Sequence, residues 1–179
     1  MKKGGVGGGN TITGLNFEGK TDLLTLLHNT PGYMVQKAKI GFDILYNERV
    51  VANSYNKHDL YRYLDSRGVE WHEILSKKLL PDGALYVIKD NTLYILEVKY
   101  QEGAGSVDEK LQTCDFKKKQ YQKLMAQLNI EVQYIYILSE WFKHPRYKDS
   151  LDYVISVGCQ YYFDYLPLHK IGLPVPTQD

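Results

Sequence analysis

Along the chain, apolar residues keep two rhythms, broken by polar and glycine-containing stretches. From Thr13, the apolar residues Leu15, Leu23, Leu24, Leu26 and Leu27 predict a first helix, stopped by Asn29-Thr30-Pro31-Gly32. Residues 33–52 predict two strands, 40–46 and 50–52, joined by the polar turn Asn47-Glu48. The polar stretch 53–58 reads as a loop, 59–66 as a helix ended by Arg67-Gly68, and 71–80 as a further amphipathic turn or two. A hydrophobic hairpin follows the corner Pro81-Asp82-Gly83 and turns at Asp90-Asn91. Ser106-Val107-Asp108-Glu109 fits a capping box, and Val107, Leu111, Cys114, Tyr121, Leu124, Met125 and Leu128 continue it as a buried helical stripe. Residues 132–138 form a nearly continuous apolar strand, so that helix is expected to cross over between parallel neighbours. The rest reads as a helix at 150–157, a strand at 159–165 and an extended tail at 167–176.

Composition narrows this α/β pattern. With 179 residues and 44% hydrophobic content, one domain over 13–179 behind a flexible glycine-rich arm, 1–12, is the expected organisation. A net charge of +1 leaves any nucleic-acid surface to a local patch. Cys114 and Cys159 are too few for a disulfide framework or a zinc site, which suits a reducing cytoplasm. No apolar run approaches the roughly 20 residues needed to span a bilayer, so no membrane is expected. Sixteen tyrosines suit the amphipathic rims of a β-rich core, or a surface on which bases stack.

One motif is a decoy. Gly14-Leu15-Asn16-Phe17-Glu18-Gly19-Lys20-Thr21 fits the phosphate-loop pattern letter for letter. A working loop needs a buried strand ahead of it and small residues in the cradle, whereas Leu15, Phe17 and Glu18 bring bulk and negative charge. Nucleotide binding through 14–21 remains an alternative.

The chemistry concentrates on the second strand of the hairpin. Side chains alternate along a strand, so Leu93, Ile95, Glu97 and Lys99 share one face, and Tyr94, Leu96, Val98 and Tyr100 the other. Both faces begin apolar, which makes the strand interior and its charges costly without partners. A divalent cation is one such partner. Asp82, followed fifteen residues on by Glu97-Val98-Lys99, resembles the PD-(D/E)xK nuclease motif, with Pro81-Asp82 as its literal start. The order helix, strands, hairpin, helix, strand is similar to the restriction-endonuclease-like core, a mixed central β-sheet flanked by helices, over about residues 13–140. Within that superfamily the chain looks most like small type II restriction endonucleases.

The resemblance implies Mg²⁺-dependent hydrolysis of double-stranded DNA, with Mn²⁺ able to substitute, by a homodimer that cuts both strands. Asp82, Glu97 and the backbone carbonyl of Val98 would hold the metal, and Lys99 would position the attacking water. Glu18, expected on the first helix, would be an additional acid, with Glu73 the other candidate. A junction-resolving or DNA-repair nuclease of the same fold is the nearest alternative. For contacts to DNA the candidates are Gln101, which continues the face of Glu97, Asn53 and Asn56 in the polar loop, and Lys143 and Arg146 after the apolar strand. Lys117-Lys118-Lys119 reads as a solvated face or a phosphate contact.

Overall fold

The computed structural model describes residues 13–18, 22–100 and 108–177. The arm 1–12, Lys20, Gln101 and the capping residues Ser106 and Val107 lie outside the described residues. In chain order the strands are β1 (Gly14–Asn16), β2 (Tyr33–Lys37), β3 (Phe42–Tyr46), β4 (Arg49–Ser54), β5 (Gly83–Val87), β6 (Thr92–Lys99), β7 (Glu131–Leu138), β8 (Gln160–Phe163) and β9 (Tyr165–Pro167). The helices are α1 (Leu23–His28), α2 (His58–Ser66), α3 (Trp71–Ile74), α4 (Asp108–Leu111), α5 (Cys114–Ala126) and α6 (Lys148–Ser156).

Among the described residues, β2 to β8 form one seven-stranded sheet in which spatial order follows chain order. It is mixed: from β2 to β6 each successive pair is antiparallel, and β7 and β8 run parallel to β6. Short turns join β2 to β3, β3 to β4 and β5 to β6, while the longer stretch between β4 and β5 carries α2 and α3. At Asn47 and Glu48 both backbone φ angles are positive, 46° and 65°, a two-residue turn whose twist matches that of the flanking strands. The parallel half needs crossovers, and α4 with α5, then α6, supply them. On α4 and α5 the expected stripe is present, with Leu111, Cys114, Tyr121, Leu124 and Met125 all buried. Helix α2 stops where expected, Gly68 taking the left-handed backbone (φ 73°) that a β-carbon would disfavour.

The two faces of the sheet carry different cores. One holds Leu93, Ile95, Tyr134 and Tyr136 under α2 and α5. The other holds Tyr94, Leu96, Ile135 and Ile137, covered by α1, β1 and the C-terminal segment.

Four sequence expectations change. The helix expected from Thr13 is a strand followed by a separate helix: β1 pairs antiparallel with β9, and α1 begins only after Asp22. The Asp22 carboxylate accepts the Thr25 N–H at 3.1 Å and the Thr25 hydroxyl at 2.6 Å, an N-cap that sets the start of the leucine run. Gly14 permits the strand pairing, because a β-carbon there would lie 2.3 Å from the Tyr165 ring. Glu18 therefore lies in a 3-10 position after β1, ahead of α1 rather than on it.

The two strands expected in 33–52 are three. The pattern missed β2 because it is an edge strand with Met34, Gln36 and Lys37 exposed, so its sequence shows little apolar alternation. The loop expected at 53–58 begins later, since Asn53 and Ser54 pair with Asp43 and Phe42 inside β4. The extended tail at 167–176 instead makes a 3-10 turn, Leu168–Ile171, and buries Leu168, Ile171 and Leu173 against the aliphatic face. Its apolar residues pack against a sheet that lies far away in sequence.

Candidate active site

Strand β6 brings Glu97 and Lys99 to the tyrosine-rich face, just where its buried start gives way to a half-buried end. The Glu97 side chain is 12% exposed and accepts four contacts. Lys99 Nζ lies 2.6 Å from Oε1, and Lys117 Nζ bridges both oxygens at 2.7 Å and 3.0 Å. The hydroxyl of buried Tyr134 donates to Oε2. A carboxylate has about four acceptor positions, so this one is saturated. Burial, the largest influence, pushes the Glu97 carboxyl upward, but the hydrogen bonds from Lys117, Lys99 and Tyr134 outweigh it and hold the group below its ordinary value. The Tyr134 hydroxyl is driven strongly upward, by burial first and then by the Glu97 charge, and so stays a donor.

Asp82 stands at the end of the neighbouring strand. The antiparallel register pairs Gly83 with Leu96, and one residue further the chain sets Asp82 opposite Glu97 as β5 leaves the ladder. Asp82 Oδ2 accepts the Val98 N–H at 3.2 Å. In a strand the N–H and C=O of one residue project toward the same neighbour, so the Val98 carbonyl also projects to the side from which β5 approaches. The alternate residue agrees, since the Lys99 carbonyl turns the other way and accepts Ser139 N–H at 3.1 Å. Both acids act on one phenol: the Tyr121 hydroxyl is pushed up by burial first, then by Tyr61, Glu97 and Asp82.

The corner that carries Asp82 is held by Asn56, whose side-chain carbonyl accepts Ala84 N–H at 3.3 Å and the Ser54 hydroxyl at 3.1 Å. On the aliphatic side a cleft of about 340 Å³, lined by Phe17, Leu23, Asn56, Asp82, Val98 and Tyr100, reaches the same corner.

Among the described residues, no group of three or more His, Cys, Asp or Glu side chains gathers at one point. Two carboxylates and a carbonyl are nevertheless a hard-oxygen donor set, and Mg²⁺ takes one or two protein carboxylates while keeping several waters. The donors at Asp82, Glu97 and Val98 fit that ion in kind and number, provided Glu97 yields one of its present contacts.

Other sequence candidates lie elsewhere. Exposed Glu18 accepts Asn16 Nδ2–H at 3.2 Å, and its charge acts on Tyr100 and Asp164, at the rim of the opposite face. Glu73 lies 3.8 Å from His72 on exposed α3. Asn53 donates to Asp43 Oδ1 at 2.7 Å within the sheet. Lys143 pairs with Glu140 at 2.7 Å and lies over the Phe163 ring, while Arg146 donates to the Tyr147 hydroxyl and lies over the Trp141 and Tyr147 rings. In the phosphate-loop match, Gly14–Asn16 form a strand and Leu15 and Phe17 are buried, so the described part of that motif forms core rather than cradle.

Sequence reasoning missed Lys117 and Tyr134. For Lys117 a signal existed. It stands three residues after Cys114 and four before Tyr121, on the buried stripe of α5, where an apolar residue is expected. Its neighbours are held elsewhere: Lys118 Nζ donates to Gly158 O at 2.6 Å, and exposed Lys119 Nζ to Asp115 at 2.8 Å. Tyr134 had no such signal, because a tyrosine in an apolar strand is ordinary. No protein-family model, curated protein or solved structure matches this chain.

Proposed function

We propose that the chain is a Mg²⁺-dependent nuclease of double-stranded DNA with a PD-(D/E)xK-type site, acting as a homodimeric, sequence-specific endonuclease of the type II restriction class. The observation that carries the reading is the hairpin β5–β6: Asp82 accepts the Val98 amide, Glu97 and Lys99 lie on that same strand, and a helix then leads to a parallel strand. The restriction-endonuclease-like core is part of the same proposal.

Asp82, Glu97 and the Val98 carbonyl would hold Mg²⁺, which would supply neutralising charge for the phosphate and a more acidic water. Lys99, already paired with Glu97, orients the attacking water by hydrogen bonding and adds positive charge beside the phosphate. The water oxygen bonds to phosphorus as the P–O3′ bond breaks; the water gives up one proton to solvent and the departing 3′ oxygen takes one up from solvent, so the protons balance. The products are a 5′-phosphate and a 3′-hydroxyl. The Tyr134 hydroxyl, whose ring packs between Tyr121 and Tyr136, helps keep the Glu97 carboxylate aimed.

Incubation of the purified protein with long duplex DNA and Mg²⁺ tests the reading directly, with discrete bands the expected product. Glu97→Ala and Lys99→Ala should each lower cutting about 100- to 1,000-fold, the scale of losing a group used in the transition state, while Ca²⁺-supported DNA binding persists. Normal cutting by either variant would remove the mechanism. Preference for a branched over a linear duplex would reassign the substrate.

A further inference from the structure

A saturated carboxylate cannot also bind a cation. The four contacts to Glu97 fill its acceptor positions, so an arriving metal ion must displace one. Tyr134 is fully buried, with its ring held among Tyr121 and Tyr136, and has nowhere to retreat. Lys99 touches Oε1. Lys117 bridges both oxygens, so a cation approaching either meets its ammonium group. Its side chain reaches in from α5 on a flexible stem and is 28% exposed, so the ammonium can swing into water without unfolding anything. Like charges a few ångströms apart oppose metal entry strongly where solvent is partly excluded.

We infer that Lys117 is an internal lock on the metal site: its ammonium occupies Glu97 in the free protein, and metal binds only as Lys117 leaves. The inference rests on Glu97 being a metal ligand, not on which substrate the site cuts. The displaced ammonium can donate a hydrogen bond to a phosphate oxygen of the substrate, so substrate and metal favour each other. Lys117 is thus a positioning residue that keeps Glu97 ionised and aimed until the ion takes its place.

The test is Mn²⁺ binding to the full chain without DNA, read by electron paramagnetic resonance of the free ion. Lys117→Gln should tighten Mn²⁺ at least about tenfold, because a competing positive charge is gone. Lys117→Arg, which keeps that charge, should bind like wild type, and Glu97→Gln should abolish binding. A merely structural lysine would give the opposite sign, since losing it would loosen the site. Lys117→Met keeps the aliphatic stem and carries the test if Lys117→Gln gives no cooperative melt. Mn²⁺ affinity in the Gln or Met variant equal to or weaker than wild type overturns the lock. Cutting is scored separately on wild-type protein. Tightened Mn²⁺ with no cleavage of any DNA keeps the lock and sinks the nuclease; cleavage with unchanged Mn²⁺ affinity does the reverse.

Discussion

The two faces of β6 present neighbouring residues to opposite environments. Leu96 packs among Leu23, Leu85, Ile135 and Ile137, a face built largely of aliphatic groups with no hydrogen to donate. Glu97 turns to the face of Tyr121, Tyr134 and Tyr136, where phenols are part of the packing and a donor is near at hand. Tyrosine fills space as phenylalanine does and keeps a polar tip. That is why a carboxylate can sit at position 97, where a phenol reaches it, and not at position 96, whose neighbours are aliphatic.

The largest break in this contrast is Leu96→Glu, which moves an acid one residue along the strand to the aliphatic side. Leu96 is 1% exposed, and an unpartnered charge there should cost more than about 4 kcal/mol, seen in urea as loss of the cooperative fold. Next comes Ile137→Ala, at a fully buried position on that same face, expected to cost about 2–5 kcal/mol by urea unfolding.

Tyr134→Phe sharpens the contrast from the other side. It keeps the ring and removes the donor to Glu97, so stability should fall by about 1.5–3 kcal/mol, the value of a hydrogen bond to a charged group. A loss under a few tenths of a kcal/mol would mean that the two lysines alone sustain the carboxylate.

The smallest effect lies at the edge of the aliphatic face. Asp22→Ala removes the cap of α1 and should cost about 1 kcal/mol in thermal unfolding. The Asp22 carboxyl is held below its ordinary 3.8 chiefly by the Thr25 hydroxyl, against burial and with help from the Thr25 amide. A folded value lower than the unfolded one adds stability that is complete above pH 3.8 and is lost as pH falls through the folded value. The gap between wild type and variant should therefore close in acid.

Much of the sheet could be read from local pattern. The hairpin after Asp82, helix α2, the stripe on α5 and strand β7 all announce themselves by period, because each buries one face or both against the core. The ends could not be read this way. Leu15 joined the leucines of α1 in the pattern, yet it belongs to β1, whose partner β9 lies some 150 residues away, Leu15 pairing with Leu166. For the site, the spacing of Asp82, Glu97 and Lys99 carried three of the charged groups. Lys117 was hidden inside a run of three lysines that looks solvated, although its position on the stripe set it apart.

Local order thus came from the sequence alone: where the chain alternates, where it coils, where it turns, and that Glu97 and Lys99 share a face. These depend on backbone geometry and near neighbours, which a short window contains. Only the tertiary structure decided which lysine reaches Glu97, which phenol lies beneath it, and that the C-terminal segment closes the opposite face. Those contacts join residues twenty to a hundred and fifty positions apart, and packing among such distant residues depends on the whole fold rather than on any one stretch.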